Sequence, residues 1–445
     1  MAKNSPNTAW FLTSPEVATS NRRGDPLGLR NITEEVAELL APGLTNRTRD
    51  ARWLTLLCWS LVESDKAWRL NVGGELGTAS QRQVRYEWLR PLELLWVRRA
   101  IDLAGPQFRA AQWPGHRSVN KWTGATPNFG MSPSQLKNHR QLGAYGAYRI
   151  LFRTLPLTQG GDGWTPVGDA LRLADLVDKA LRKDGASPNW KQRTKAPPEK
   201  WWINTGWTHW TAGGTRSLLM SGTQAAILPA QERAVLRPLL FADGSIRHRT
   251  AVAIGQARRA DNYVALCQHL AQTLGTSDND SRLRLIGLLA QLNEAGLALM
   301  RAIASAAEDG EAPLSATAGD KQVIKCLRAF SMASAKWKKR PSSAGAFIYD
   351  AEANALADIG TGAGADDKTL LTNFSRYHMT KGRGVRWFVL SDDTILLHGA
   401  AAGLGAGNFG YRLHALGRLA VQCGVIPSLP PALLTAAPDD EEDAA

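Results

Sequence analysis

A chain of 445 residues, 44% hydrophobic and 21% charged, is long enough for two or three domains with a sizeable core and has a globular make-up. Its net charge of +13 and pI near 9.8 favour an anionic partner such as nucleic acid. No run of about 18 uncharged apolar residues is found, so no membrane span is expected. The N-terminal MAKNSPNTAWFL lacks the apolar centre of a signal peptide, which makes a cytoplasmic protein the expectation. Cys58, Cys267, Cys326 and Cys423 lie far apart in apolar segments. They read as buried thiols, not as a disulfide framework or a CxxC metal site.

The stretch Asn31–Glu63 reads as two helices around a Pro42-Gly43 break. Asn31 is the expected N-cap of the first helix, with Glu34 completing a capping box. The second helix is expected to start at Thr45 or Asn46 and is apolar nearly all round from Trp53 to Val62, which predicts burial. Arg47, Arg49 and Arg52 then fall in its opening turns, where the helix dipole disfavours cations. That placement suggests a phosphate site. The alternative is that these arginines pair with Glu34, Glu35 or Glu38 inside the fold. Residues 83–104 carry helical periodicity with a break or kink at Pro91.

Ser132-Pro133 and Thr165-Pro166 each give an N-cap followed by proline. A first helix runs to Leu155 and a second from Val167 to about Lys183, joined by a turn at Gly160-Gly161-Asp162-Gly163. This pattern predicts a helix-turn-helix-like unit at 132–185, with Arg149, Arg153 and Arg172 facing phosphates. Residues 186–216 interleave Trp201, Trp202 and Trp207 with Lys191, Arg193, Lys195 and Lys200. Indole faces beside a cationic rail suit single-stranded nucleic acid. Tryptophans plugging a seam between domains are the competing explanation.

All tryptophans except Trp337 and Trp387 lie at or before Trp210, so a new domain is expected to follow. The expected organisation is an N-terminal helical domain over 1–185, a connecting segment over 186–216, and a helical domain over 217–308. A small-residue linker at 309–319, a C-terminal α+β domain over 320–435, and a disordered acidic tail over 436–445 complete it. In the C-terminal part, Arg386–Leu390 and Thr394–His398 read as a hairpin turned at Asp392-Asp393. A second winged module would follow from that hairpin and a helix. Lys336, Lys338, Lys339 and Arg340 form a basic run that reads as a solvated face.

Catalytic signals are weak. Asp350, Asp366 and Lys368 match a D…DxK metal-nuclease trio, although the DxK does not lie in a strand-like segment. The histidines show no metal-ligand spacing, and neither a metal nor another cofactor is expected.

One resemblance covers the first 180 residues. Gly28-Leu29-Arg30, Pro42-Gly43, Arg47-Thr48-Arg49-Asp50-Ala51-Arg52-Trp53, Trp59, Tyr148 and Gly163-Trp164-Thr165-Pro166-Val167-Gly168 resemble uncharacterised proteins of bacterial antiviral defence gene clusters. The resemblance implies work beside a helicase, ATPase or methylase partner and carries over no residue roles. The combined expectation is a mainly α (α+β), multi-domain protein with one or two winged-helix or helix-turn-helix-like modules. It would bind DNA without catalysis, as a subunit of an antiphage complex. A metal-dependent nuclease and a protein-binding scaffold are the alternatives.

Overall fold

Helix α1 (Arg30–Leu40) buries Ile32, Val36, Ala37 and Leu40 along one stripe and is tied to parts of the chain far from it in sequence. The computed structural model of the protein describes residues 25–73, 79–104, 143–182, 218–219, 227–275, 280–307, 310–362, 365–382, 386–397 and 410–434. Asn31 is inside α1 and does not cap it. The Asp25 carboxylate accepts the N–H groups of Leu29 and Arg30 at 2.9 and 3.0 Å. Glu352 accepts from the Asn31 side chain at 2.6 Å and from the Ile32 N–H at 3.1 Å. Two carboxylates thus satisfy the positive end of the helix, where free N–H groups attract anions. Pro42 and Gly43 end the helix as expected: Gly43 takes φ +74° and donates its N–H to Glu38 at 2.9 Å, a conformation glycine adopts without steric cost.

Helix α2 (Arg52–Asn71) starts later than the sequence suggests. Residues 45–48 form a separate turn, in which the Thr45 N–H donates to Thr48 Oγ1 and the Thr48 N–H to the Thr45 carbonyl, both at 3.0 Å. Threonine hydroxyls compete here for backbone groups that a helix would otherwise use. From Trp53 to Leu61 the apolar side chains of α2 are buried on every side. Trp59 meets Trp96 edge-on, with ring centroids 5.7 Å apart. Helix α3 (Ala79–Ala104) continues through Pro91.

Helices α4 (Ala144–Thr154) and α5 (Asp169–Arg182) flank a tight connection pinned by a bridge between Thr158 and Pro166. Gly161 in this turn takes φ +70°, and a Cβ there would lie 2.9 Å from the Arg153 carbonyl oxygen. Helix α5 packs on α2.

Four helices follow: α6 (Ala230–Leu240), α7 (Ile246–Gln256), α8 (Tyr263–Leu274) and α9 (Ile286–Ala306). The stretch Ser281–Ala306 is long and apolar enough to cross a membrane, with a mean hydropathy of 1.3 over its best window, although no span was expected. In this fold 67% of that window is buried, because α9 is a core helix packed between α8 and the later α11.

The expected linker is structured. Strand β1 (Glu311–Pro313) and helix α10 (Leu314–Gly319) occupy it. Helices α11 (Lys321–Lys338), α12 (Asp350–Gly360) and α13 (Asp367–Lys381) follow. Strands β2 (Phe388–Ser391) and β3 (Thr394–Leu397) form the expected hairpin, turned where Asp392 takes φ +50°. The antiparallel sheet has the order β1-β3-β2, with Ala312 opposite Ile395 and Leu390 opposite the same residue. Helix α14 (Leu413–Gln422) and the short α15 (Pro431–Leu434) close the fold.

The described part is therefore predominantly helical, with fifteen α-helices and one small sheet. Its buried apolar side chains form one contiguous core. Leu27 reaches α9 within it: a Cβ on Gly296 would lie 2.9 Å from Leu27 Cδ1. All four cysteines are free and buried, as expected.

Candidate nucleic-acid interface

The three arginines at the start of α2 do not share one environment. Arg52 is 2% exposed and pairs with Glu232 at 3.0 Å, and Glu232 also accepts the Thr55 hydroxyl. A sealed side chain cannot reach a phosphate, so Arg52 belongs to the core and not to an interface. Arg47 and Arg49 are half-buried and sit before the helix, with the Arg49 Nε donating to the Asn46 carbonyl. Glu34, Glu35 and Glu38 are engaged by other arginines. Arg412 bridges Glu34 and Glu38 at 2.6 Å each, and Arg282 holds Glu35 at 2.9 Å.

The turn carrying Arg47 and Arg49 rests on α4. Thr45 and Thr48 both donate their hydroxyls to the Ala147 carbonyl, at 3.4 and 3.2 Å. The Tyr148 hydroxyl donates to the Asp50 carbonyl at 2.7 Å. The structure thereby brings the turn beside the helix that carries half-buried Arg149 and exposed Arg153. On α5 the cations are matched by local acids: Arg172 pairs with Asp169 at 2.7 Å and Lys179 with Asp175 at 2.6 Å. A helix face so balanced presents little net charge to a phosphate backbone.

Lys191, Arg193, Lys195, Lys200, Trp201, Trp202 and Trp207 lie outside the described residues, as do 132–142 and the acidic tail. The D…DxK trio is not assembled for metal binding. Asp350 pairs with Arg340 at 2.8 Å. Asp366 caps α13 by accepting the Thr369 N–H at 2.7 Å, and this bond holds its carboxyl below the usual range. Lys368 pairs with Asp393 at 3.2 Å. Among the described residues no group of three or more His, Cys, Asp or Glu side chains is placed to hold a metal ion.

A further cationic surface lies along α11, and only Lys336 and Lys339 of it belong to the basic run expected to be a solvated face. Asp320 caps α11, accepting the N–H groups of Gln322 and Val323 at 2.9 Å. Val323, Leu327, Phe330 and Trp337 bury the opposite face, against α9 and α12. Lys321, Lys325, Arg328, Lys336 and, just past the helix end, Lys339 are all exposed and fall within a sector of roughly 80° at helical periodicity. They extend over about 27 Å at the helical rise. None of the five has an ion-pair partner among the described residues. The flank is different: Lys338 pairs with Asp358 at 2.6 Å, and Arg340 stacks over Trp337 at 4.5 Å while pairing with Asp350. Met332, 64% exposed, interrupts the row. It helps line an open cavity of about 440 Å³ with Lys321, Ile324, Lys325, Arg328 and Ala329. The spacing from Lys321 through Lys325 and Arg328 to Lys336 was a readable signal, since apolar Val323, Leu327 and Phe330 fix the buried face.

Comparison with protein-family models, curated proteins and solved structures finds no match for this chain.

Proposed function

We propose that this chain is a non-catalytic nucleic-acid-binding subunit, directed to DNA, of a bacterial antiphage defence complex. The observation that carries the reading is the row of five unpaired cations along the exposed face of α11. A 27 Å rail runs past about eight base pairs of one duplex strand, and each neutralised phosphate releases counterions. The overall charge of +13 adds long-range attraction. Arg47, Arg49, Arg149 and Arg153 supply a second set of contacts. In this reading α4 and α5 are the helix-turn-helix-like unit, and the β2–β3 hairpin beside α13 is a winged unit. The main rail is nevertheless α11, because α5 is charge-balanced. The antiphage setting, with a helicase, ATPase or methylase partner, rests on the resemblance of the first 180 residues.

Fluorescence anisotropy with a labelled duplex, repeated over a salt series, tests the proposal. Charge reversal of Lys321, Lys325 and Arg328 to Glu should weaken binding to all sequences alike and reduce the log K against log salt slope by about 3. Unchanged affinity and slope in a folded variant would remove α11 from the interface. A wild-type chain with no affinity for DNA, yet retained by a partner protein, would favour the scaffold.

A further inference from the structure

Helix α14 carries a buried cation that the α11 rail does not explain. Arg418 is 8% exposed, and its guanidinium makes no hydrogen bond or ion pair with any described residue, its Nε being wholly buried. Asp50 lies close enough for the Arg418 charge to act on its carboxyl, but its Oδ1 is taken by the Arg52 N–H at 2.9 Å and the Gln422 amide at 3.2 Å. The neighbouring acid, Glu232, is held by Arg52 and Thr55. His414 lies one turn before Arg418 on the same helix face. Burial, with the charges of Arg49 and Arg418, lowers its pKa to about 4. Two arginines and an imidazole thus lie at one edge of the core, and the Nε–H of Arg418 is buried there without a protein partner. A buried donor left without a partner is costly, and a guanidinium fork matches the oxygens of a phosphate.

We propose that Arg418, with Arg49 and His414, forms a binding site for a single phosphate group, distinct from the α11 rail. Because Arg418 is nine-tenths buried, a mid-strand diester cannot reach it. The group is either free inorganic phosphate or the terminal phosphate of a nucleic-acid end.

The full chain is titrated with inorganic phosphate at constant ionic strength, following thermal unfolding and the His414 imidazole signals by NMR. Phosphate should raise Tm by a few degrees and raise the His414 pKa, because an anion beside the ring favours its protonated form. Chloride at the same ionic strength should do neither. Arg418→Gln should abolish both responses. Arg49→Gln, at a half-buried position outside any helix, should weaken binding at least tenfold while keeping the fold. The charge-reversed α11 variant should respond like wild type, which separates failure of this site from failure of the rail. A 5′-phosphorylated oligonucleotide that competes with phosphate, where its 5′-hydroxyl counterpart does not, identifies a strand end as the source. Competition by neither identifies free phosphate. A wild-type Tm and His414 titration indifferent to phosphate, or a folded Arg49→Gln that responds as wild type does, would overturn the site.

Discussion

Gln422, the last residue of α14, holds Asp50 and its neighbour from the far end of the chain. Its amide donates to Asp50 Oδ1 at 3.2 Å, and its side-chain carbonyl accepts the Ala51 N–H at 2.7 Å. Both groups are buried at the N-terminus of α2, where an unmet N–H has no water to turn to. Gln422→Ala should therefore cost about 2–3 kcal/mol. Urea unfolding followed by circular dichroism measures it. A loss below about 0.5 kcal/mol would mean the contact is not formed.

Arg52 and Glu232 form a buried pair, so removing either leaves an uncompensated charge. Arg52→Met alone should cost about 3–5 kcal/mol, and combining it with Glu232→Leu should recover most of that loss. A double-mutant cycle from urea midpoints tests the coupling. DNA affinity of the folded double variant should equal wild type, since neither side chain reaches the surface.

Asp366 and Lys368 make separate structural contacts, one a helix cap and the other a surface ion pair. Asp366→Ala should lower Tm slightly by fraying α13, and Lys368→Ala should leave it almost unchanged. Neither should alter any Mg²⁺-dependent cleavage measured on supercoiled plasmid. Cleavage by wild type that Asp366→Ala abolishes would restore the nuclease reading.

What was legible in the sequence follows the range of the interactions involved. The burial expected from Trp53 to Val62 is found as far as Leu61, with Val62 half-buried; the stop at Pro42-Gly43, the hairpin at Asp392-Asp393 and the buried cysteines are found as well, and all rest on local pattern and turn chemistry. The cap of α1 was not readable, because its partners are Asp25 and the distant Glu352. Strand β1 has only the three residues Glu311–Pro313 and exists because β3 offers it an edge. The fate of Arg52 was invisible for the same reason: Glu232 lies on α6, beyond the reach of any local rule. The α11 row was legible as a helical period. Its significance was not, since only the structure separates unpaired Lys336 and Lys339 from paired Lys338 and Arg340.

Glu93 gives a pH dependence with a definite sign. It is fully buried on α3, where it accepts the Tyr86 hydroxyl at 3.0 Å and the Tyr145 N–H. Burial outweighs these bonds and raises its pKa from 4.5 to about 7. The folded state therefore holds a proton that the unfolded state releases between pH 4.5 and 7. By linkage the stability contributed by this group is full below pH 4.5 and falls as pH rises towards 7, by a total on the order of 3 kcal/mol. Glu93→Gln keeps an acceptor in place and has no proton to lose. Relative to wild type, the variant should gain stability steadily from about pH 5 to about pH 7 and then level off. Urea midpoints of both proteins across that range provide the measurement. A stability difference that stays flat with pH would show that Glu93 keeps an ordinary carboxylate pKa in the fold, and one that grows towards acid would reverse the sign argued here.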